Sequence, residues 1–483
     1  MAAARYARLA RGSRVEGLLA RSTRSAAARR IYVAVVATDA EPGHCFVAGT
    51  PNRRMHRPTR RALLASGAAG FATFAGCFAG SSPDQPTGEG TATWPTEPTW
   101  NPEDGSPLDA DVTETTVVQN LSVPWDVTFA GSDAFLTERT GGILRFDTET
   151  LATGEGLSPD DAATVLRATD LPDRTGPGEG GTLGVTAHPS YPEKRVIFLY
   201  YTADNDLRNR VVRYDIDADE LSPLVDDIPA SKYHNGGRIT IGPEGSLWIL
   251  TGDAEAGAEI AQDATSRGGA VLRTTLDGNP APDNPEFSGE SDPLLYTVGH
   301  RNPQGIAFTP DGEPLIAEHG PLSHDEVSAL RPGANYGWSV ARGGPGDVQY
   351  ESYTDYERFT PPLVNTGSAG TWAPSGVEFY TDDAIPAWRN RLFVAGLRSQ
   401  TLYAITLTRD GDGPEGGTRY DADWLDDRYT ATVHELYDGE YGRLRHVEQG
   451  PEGALYLLTS NRDGRTAGEF PTERDDRVVR LEP

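Results

Sequence analysis

Lysine is almost missing from this chain: of 43 Lys and Arg residues, only Lys194 and Lys232 are lysine. Cysteine is as scarce. Cys45 and Cys77 both precede the segment that carries the apolar patterning, so no disulfide framework can brace the body of the protein. After residue 114 there is no long segment of 3.6-residue apolar periodicity, which argues for strands over packed helices. Positive charge is also short. Residues 81–483 hold 30 basic against 68 acidic residues, a net charge of −38. Nothing in such a surface would neutralise phosphates, and nucleic acid is excluded as a partner. Few lysines with abundant Asp and Glu fit a protein built for concentrated salt, where screening over a few ångströms tames self-repulsion. A merely acidic protein from an arginine-biased genome is the other source of this composition.

The first 80 residues invert that balance, with 13 arginines against three acids. Arg60-Arg61, a small apolar run over residues 62–79 and Ala75-Gly76-Cys77 read as a twin-arginine export signal ending in a lipobox-like cysteine. A single membrane-anchor helix is the alternative for that run. Pro58, the arginines in front and the cysteine at the end favour processing and lipidation of Cys77. Residues 1–54 carry ten arginines, three acids and no apolar periodicity, so Met55 is the expected true start. The predicted organisation is a spurious or disordered extension over 1–54, a signal over 55–80, a disordered Pro-, Thr- and Gly-rich tether over 81–114, and one folded domain over 115–483. The predicted location is outside the cytoplasm, with membrane contact only through lipidated Cys77.

The folded part shows many short apolar runs closed by turn residues. Pro243-Glu244-Gly245 precedes the run 247–250, Pro310-Asp311-Gly312 precedes 315–317, and Pro451-Glu452-Gly453 precedes 455–458. The steps between these turns are 67 and 141 residues, one and two units of about 70. Weaker units near 131–146, 196–214 and 391–405 bring the number to six. Six small twisted sheets arranged radially make an all-β, six-bladed β-propeller, with residues 115–118 supplying the strand that closes the last blade. A pair of β-sandwiches is the alternative. In a propeller, loops at one mouth of the axis gather distant motifs into one pocket.

The richest stretch runs from Gly299-His300-Arg301-Asn302-Pro303-Gln304-Gly305 through His319-Gly320-Pro321 and Asp325-Glu326 to Asn335-Tyr336-Gly337-Trp338. It joins a fixed cation, an amide, kinked backbone carbonyls, carboxylates and a phenol, the parts needed to hold a poly-anionic ligand beside a hard metal ion. Arg443 and Arg445 alternate along an extended segment and so face the same way. His319 and His324 lack a third ligand for zinc. Together with Val123-Pro124-Trp125-Asp126, Thr137-Glu138-Arg139, Glu179-Gly180-Gly181, His234-Asn235-Gly236-Gly237-Arg238 and Ala373-Pro374-Ser375-Gly376, in this order, the chain resembles the soluble quinoprotein sugar dehydrogenases over residues 113–483. This is the glucose/sorbosone dehydrogenase family, which uses pyrroloquinoline quinone (PQQ) and calcium.

The resemblance implies the same six-bladed fold and oxidation of aldose sugars at the anomeric carbon. His234 would be the general base, a task that suits an imidazole with an ordinary pKa of about 6.5. Arg301 and Asn302 would contact the quinone oxygens, where negative charge develops on reduction. Arg443, Arg445 and Arg398 would hold the cofactor's carboxylates, with Arg398 standing where the family has lysine. Gly320 and Pro321 would give carbonyls to the calcium that polarises the quinone, and Glu326 and Tyr336 would serve a second, structural calcium. Three departures stand out. Tyr233 replaces the aspartate before the catalytic histidine, Glu179 replaces a glutamine and would contact the cofactor as that residue does, a carboxylate moved from one loop to another that would compensate for the lost aspartate, and Ala369 replaces a pocket tryptophan, leaving Trp372 to cover the ring. The chain therefore looks nearer to the aldose dehydrogenases of broader substrate choice. The rivals are a calcium-dependent propeller hydrolase of the lactonase kind, which needs an acidic metal cage, and a propeller that binds a ligand without chemistry.

Overall fold

A computed structural model describes residues 86–483 apart from 205, 410–412 and 467. The extension, export signal and Cys77 lie outside the described residues. Six antiparallel sheets follow one another along the chain, as the repeat predicted. Blade 1 is built from Pro124–Ala130, Asp133–Glu138, Ile143–Asp147 and Ala163–Leu166; blade 2 begins at Thr182–Ala187, blade 3 at Ile239–Ile241, blade 4 at Pro303–Phe308, blade 5 at Pro374–Tyr380 and blade 6 at Leu444–Gln449. Blade 5 has five strands and the others four. Blade 6 takes its outermost strand from the start of the domain. Thr113–Val118 pairs antiparallel with Val478–Glu482, in register from Thr113 opposite Glu482 to Thr116 opposite Val479.

The repeating turns join the first and second strands of blades 3, 4 and 6. Gly245, Gly312 and Gly453 sit there at φ +83°, +86° and +77°, the left-handed region that a side chain disfavours. Because each sheet is sandwiched between two others, both faces of its strands are apolar, and the core is a ring of packed clusters between neighbouring blades. Leu183, Phe198 and Tyr200 of blade 2 meet Ile249 and Leu272 of blade 3, for example, and Leu315 and Val327 of blade 4 meet Val394 and Ile405 of blade 5.

The tether expectation fails over its described part. Gly88–Glu89 pairs with Glu286–Phe287, Trp100 is 7% exposed within the cluster between blades 4 and 5, and Arg391 donates to the carbonyls of Glu103 and Gly105. Residues 86–112 are thus a strap across the outside of blades 3 to 5. Composition marked the segment as unable to order itself, but a chain poor in apolar residues can still order on a surface that another part of the molecule supplies.

Candidate active site

The repeating Pro-x-Gly turns occupy one face, and the loops between blades and the hairpins between second and third strands occupy the other. The second set converges on a cavity of about 480 Å³. Glu179 comes from the loop between blades 1 and 2, Tyr233 and His234 from that between blades 2 and 3, and Arg301 from that between blades 3 and 4. Gly320 and Pro321, Arg398 and Arg465 come from the hairpins of blades 4, 5 and 6, and Arg443 and Arg445 from the entry to blade 6. Among the described residues, five guanidiniums and a single carboxylate line the cavity, in a domain that is otherwise strongly acidic. Arg398 is exposed at the rim.

His234 holds a backbone φ of +57°, unusual for a side-chain-bearing residue and sustained by its surroundings. Its N–H donates to Glu179 Oε2 at 3.1 Å, and its Nδ1 lies 2.7 Å from Asp253 Oδ1. Asp253 is 1% exposed and also accepts from Trp338 Nε1 at 2.7 Å and from the N–H groups of Glu255 and Gly257. A carboxylate so placed fixes the Nδ1–H tautomer and leaves Nε2 with a free lone pair toward the cavity. The carboxylate that orients His234 is therefore Asp253, and Glu179 does not take that part. Glu179 instead receives the His234 N–H and the Arg465 guanidinium, at 2.6 Å. Burial alone would raise its carboxyl, but His319, Arg465 and the His234 N–H more than offset that and bring it to about 2. The Gly236-Gly237 pair serves packing: a Cβ on Gly236 would lie 2.4 Å from the Leu250 carbonyl, and one on Gly237 2.7 Å from Leu183.

Arg301 is 9% exposed. Its N–H donates to Glu318 Oε2 at 3.1 Å, and its guanidinium lies 5.4 Å from the Trp338 ring centre. Asn302 does not line the cavity. It is fully buried, its Oδ1 accepts the Gly236 N–H at 3.0 Å, and its Nδ2 faces His319 Nδ1 at 3.5 Å, so it supports the wall that it was expected to form. Arg443 is bound through Nε and Nη2 to Asp463 and through Nη1 to the Leu397 carbonyl, and Arg445 Nη1 donates to Gln304 Oε1 at 2.8 Å. Among the described residues, the Nε atoms of Arg301 and Arg445 and the Nε2 of His319 are buried without a partner. A cavity with three orphaned polar nitrogens and five guanidiniums fits a poly-anionic ligand such as PQQ.

The carbonyls of Gly320 and Pro321 accept no hydrogen bond among the described residues and line the same cavity. Asp325 pins their loop: it accepts from Gly320 N at 2.7 Å, Thr371 Oγ1 at 2.7 Å, Trp372 N at 2.6 Å and Ala373 N at 2.9 Å. Two free carbonyls on a fixed loop fit a calcium ion beside the cofactor. Glu326 and Tyr336 do not fit a second one. The Glu326 carboxylate is occupied by Tyr353 OH at 3.1 and 3.2 Å, by Asn365 Nδ2 at 2.8 Å and by Arg342 Nη1 at 2.9 Å. The Tyr336 hydroxyl donates to the Ala329 carbonyl, and the Tyr336 backbone carbonyl lies 3.0 Å from the Tyr353 hydroxyl, whose one proton it shares with Glu326. Trp372 covers nothing in the cavity either; it stacks on Tyr403 with ring centres 3.9 Å apart, and Ala369 lies exposed in a short turn nearby. Sequence reasoning passed over Asp253, Asp463 and Arg465, because acids and arginines in so charged a chain carry no local mark; Asp325 stood out only as a carboxylate of the metal-like stretch, and the structure shows it pinning the loop.

The family profile described as Glucose / Sorbosone dehydrogenase matches residues 121–467. The chain belongs to that family. It is 30% identical over 368 residues to the aldose sugar dehydrogenase of Escherichia coli (strain K12), covering 71% of this chain and 89% of that one. It is also 30% identical over 336 residues to the quinoprotein glucose dehydrogenase B of Acinetobacter calcoaceticus, covering 62% of this chain and 66% of that protein. Among solved structures, the PQQ-bound form of the aldose sugar dehydrogenase from Streptomyces coelicolor superposes with a TM-score of 0.60 at 30% identity, over 78% of this chain and 99% of the other. This member of the glucose/sorbosone dehydrogenase family therefore shares fold and overall plan with quinoprotein sugar oxidoreductases.

Proposed function

We propose that the protein is an exported, PQQ- and calcium-dependent dehydrogenase that oxidises aldose sugars at the anomeric carbon, with His234 as base. The observation that carries this reading is the meeting of an oriented imidazole with five guanidiniums in one cavity of an acidic domain. Arg301, Arg398, Arg443 and Arg445 would bind the cofactor's carboxylates and quinone oxygens, and the Gly320 and Pro321 carbonyls would hold calcium. The chemistry that PQQ would supply when held there is a two-electron acceptor for the hydride leaving the anomeric carbon. The chain itself handles the proton. A sugar hydroxyl against His234 Nε2 gives up its proton there, while Asp253 keeps Nδ1 protonated and stabilises the positive ring that results. Arg301, desolvated and braced on Trp338, supplies fixed positive charge where negative charge gathers. The arginine-lined mouth supports this reading over a lactonase-like hydrolase, which requires an acidic cage in the same place. The twin-arginine stretch and Cys77 support export and lipid anchoring.

Purified protein given calcium, PQQ, an aldose and a redox dye in concentrated salt is expected to reduce the dye only when both additions are present. Tight quinone uptake without turnover would mark a binding module, and lactone cleavage without quinone a hydrolase.

A further inference from the structure

Glu318 and Glu326 are direct cross-strand partners in blade 4. Both are essentially buried, at 2% and 1% exposure, and two facing carboxyls in such a place repel unless a cation lies between them or one of them keeps its proton. The cation present is Arg342, which is 0% exposed and reaches in from Ala341–Gly343 outside the blade. Its Nη1 binds Glu318 Oε1 and lies 2.9 Å from Glu326 Oε2. Tyr353 OH and Asn365 Nδ2 complete the ring of donors around Glu326, and Asn365 Nδ2 also ties to the Arg342 carbonyl at 3.1 Å.

We propose that the Arg342 guanidinium replaces a metal ion at this position, so that this chain carries its second cation covalently and binds no calcium at Glu326 and Tyr336. A divalent ion against Glu326 would have to share the space with a fixed positive group 2.9 Å from the same carboxylate. The consequence reaches the cavity by two routes. Arg342 Nε donates to the His324 carbonyl at 3.1 Å, which closes the loop bearing Gly320 and Pro321. Glu318, held in place by Arg342, accepts the Arg301 N–H through Oε2. Arg342 is thus a positioning residue for both the free carbonyls and the buried guanidinium of the site.

The test needs neither quinone nor turnover, so its result is independent of the proposed activity. Chelator-stripped wild-type protein and Glu326→Gln are dialysed against calcium in concentrated salt, and bound calcium is counted by atomic emission. Equal counts are expected; a wild-type count that drops by one ion per chain in Glu326→Gln overturns the proposal. Arg342→Met uncovers the facing carboxylates, so it should bind one calcium per chain more than wild type and gain several degrees in unfolding midpoint when calcium is added. Arg342→Lys, which retains a cation, should show neither change. An Arg342→Met protein that folds yet neither binds nor responds to calcium also overturns the proposal. If that variant does not fold, the comparison of wild type with Glu326→Gln decides.

Discussion

His234 and Asp253 are 19 positions apart and belong to different loops, yet their side chains meet at 2.7 Å. What holds them is close backbone packing: a Cβ on Gly252 would stand 1.9 Å from the His234 carbonyl, so only glycine lets the two loops touch. Removing the imidazole in His234→Ala should lower kcat by about 100-fold or more while quinone affinity stays near wild type. Asp253→Asn keeps the shape but frees the ring to adopt the wrong tautomer, so kcat should also fall steeply, with sugar KM nearly unchanged. Steady-state kinetics on the two variants, alongside a quinone titration, separates these effects. His234 was legible in the sequence because its His-x-Gly-Gly-Arg segment resembles the family's; Asp253 was not, because one acid among 71 announces nothing until the fold gives it a partner.

The hairpin joining the second and third strands of blade 6 is the element least visible in the sequence and most involved at the mouth. Through Asp463 it neutralises Arg443, and through Arg465 it grips Glu179 and lies 5.1 Å from the Tyr233 ring centre. Arg465→Ala removes one pocket cation and leaves the Glu179 carboxylate without its ion-pair partner beside an anionic cofactor. Equilibrium titration should then show quinone affinity lowered about tenfold, about 1.4 kcal/mol, with the unfolding midpoint also lowered near neutral pH, since Arg465 is one of the groups that hold the half-buried Glu179 carboxyl down. The strap behaves in the opposite way. Trp100 packs edge-on to Phe379 at 5.0 Å and beside Tyr429 at 5.9 Å, so Trp100→Ala should cost about 3 kcal/mol of stability in denaturant unfolding, without touching the mouth. The blades themselves were readable from Pro-x-Gly turns because a left-handed backbone position demands glycine wherever it recurs. The strap was not readable, because its partners lie some 200 to 300 residues further along the chain.

For the whole molecule, the propeller axis behind the active site holds a second set of buried ionisable groups. A cavity of about 290 Å³ is lined by Asp126, Arg238, Glu378, His446 and Glu448 from blades 1, 3, 5 and 6. Burial pushes Glu378 up to about 8, and it pushes Asp126 up to about 6 even though Arg238 pairs with it. The folded chain therefore holds these protons more tightly than the unfolded chain does. Their contribution to stability is complete below the unfolded carboxyl pKa of about 4 and is lost as pH rises through about 6 and then about 8. Glu179 and Glu318, both brought down to about 2, act in the other sense: their stabilisation is present above about 4 and lost as pH falls toward 2. The unfolding midpoint should accordingly peak in mild acid and decline toward pH 9, and Glu378→Gln should flatten that alkaline decline in thermal melts. A variant that declines as steeply as wild type would remove Glu378 from the account.

The seam of the ring has a bearing on biosynthesis. Residues 113–118 emerge from the ribosome before every other strand of the six blades, yet their hydrogen-bonding partners at 478–482 follow only after all the other blade strands have been made. The ring cannot be sealed until that last strand has been made. A product released before residue 478 would carry every catalytic loop and still present two raw sheet edges, inviting aggregation in place of a shorter working enzyme.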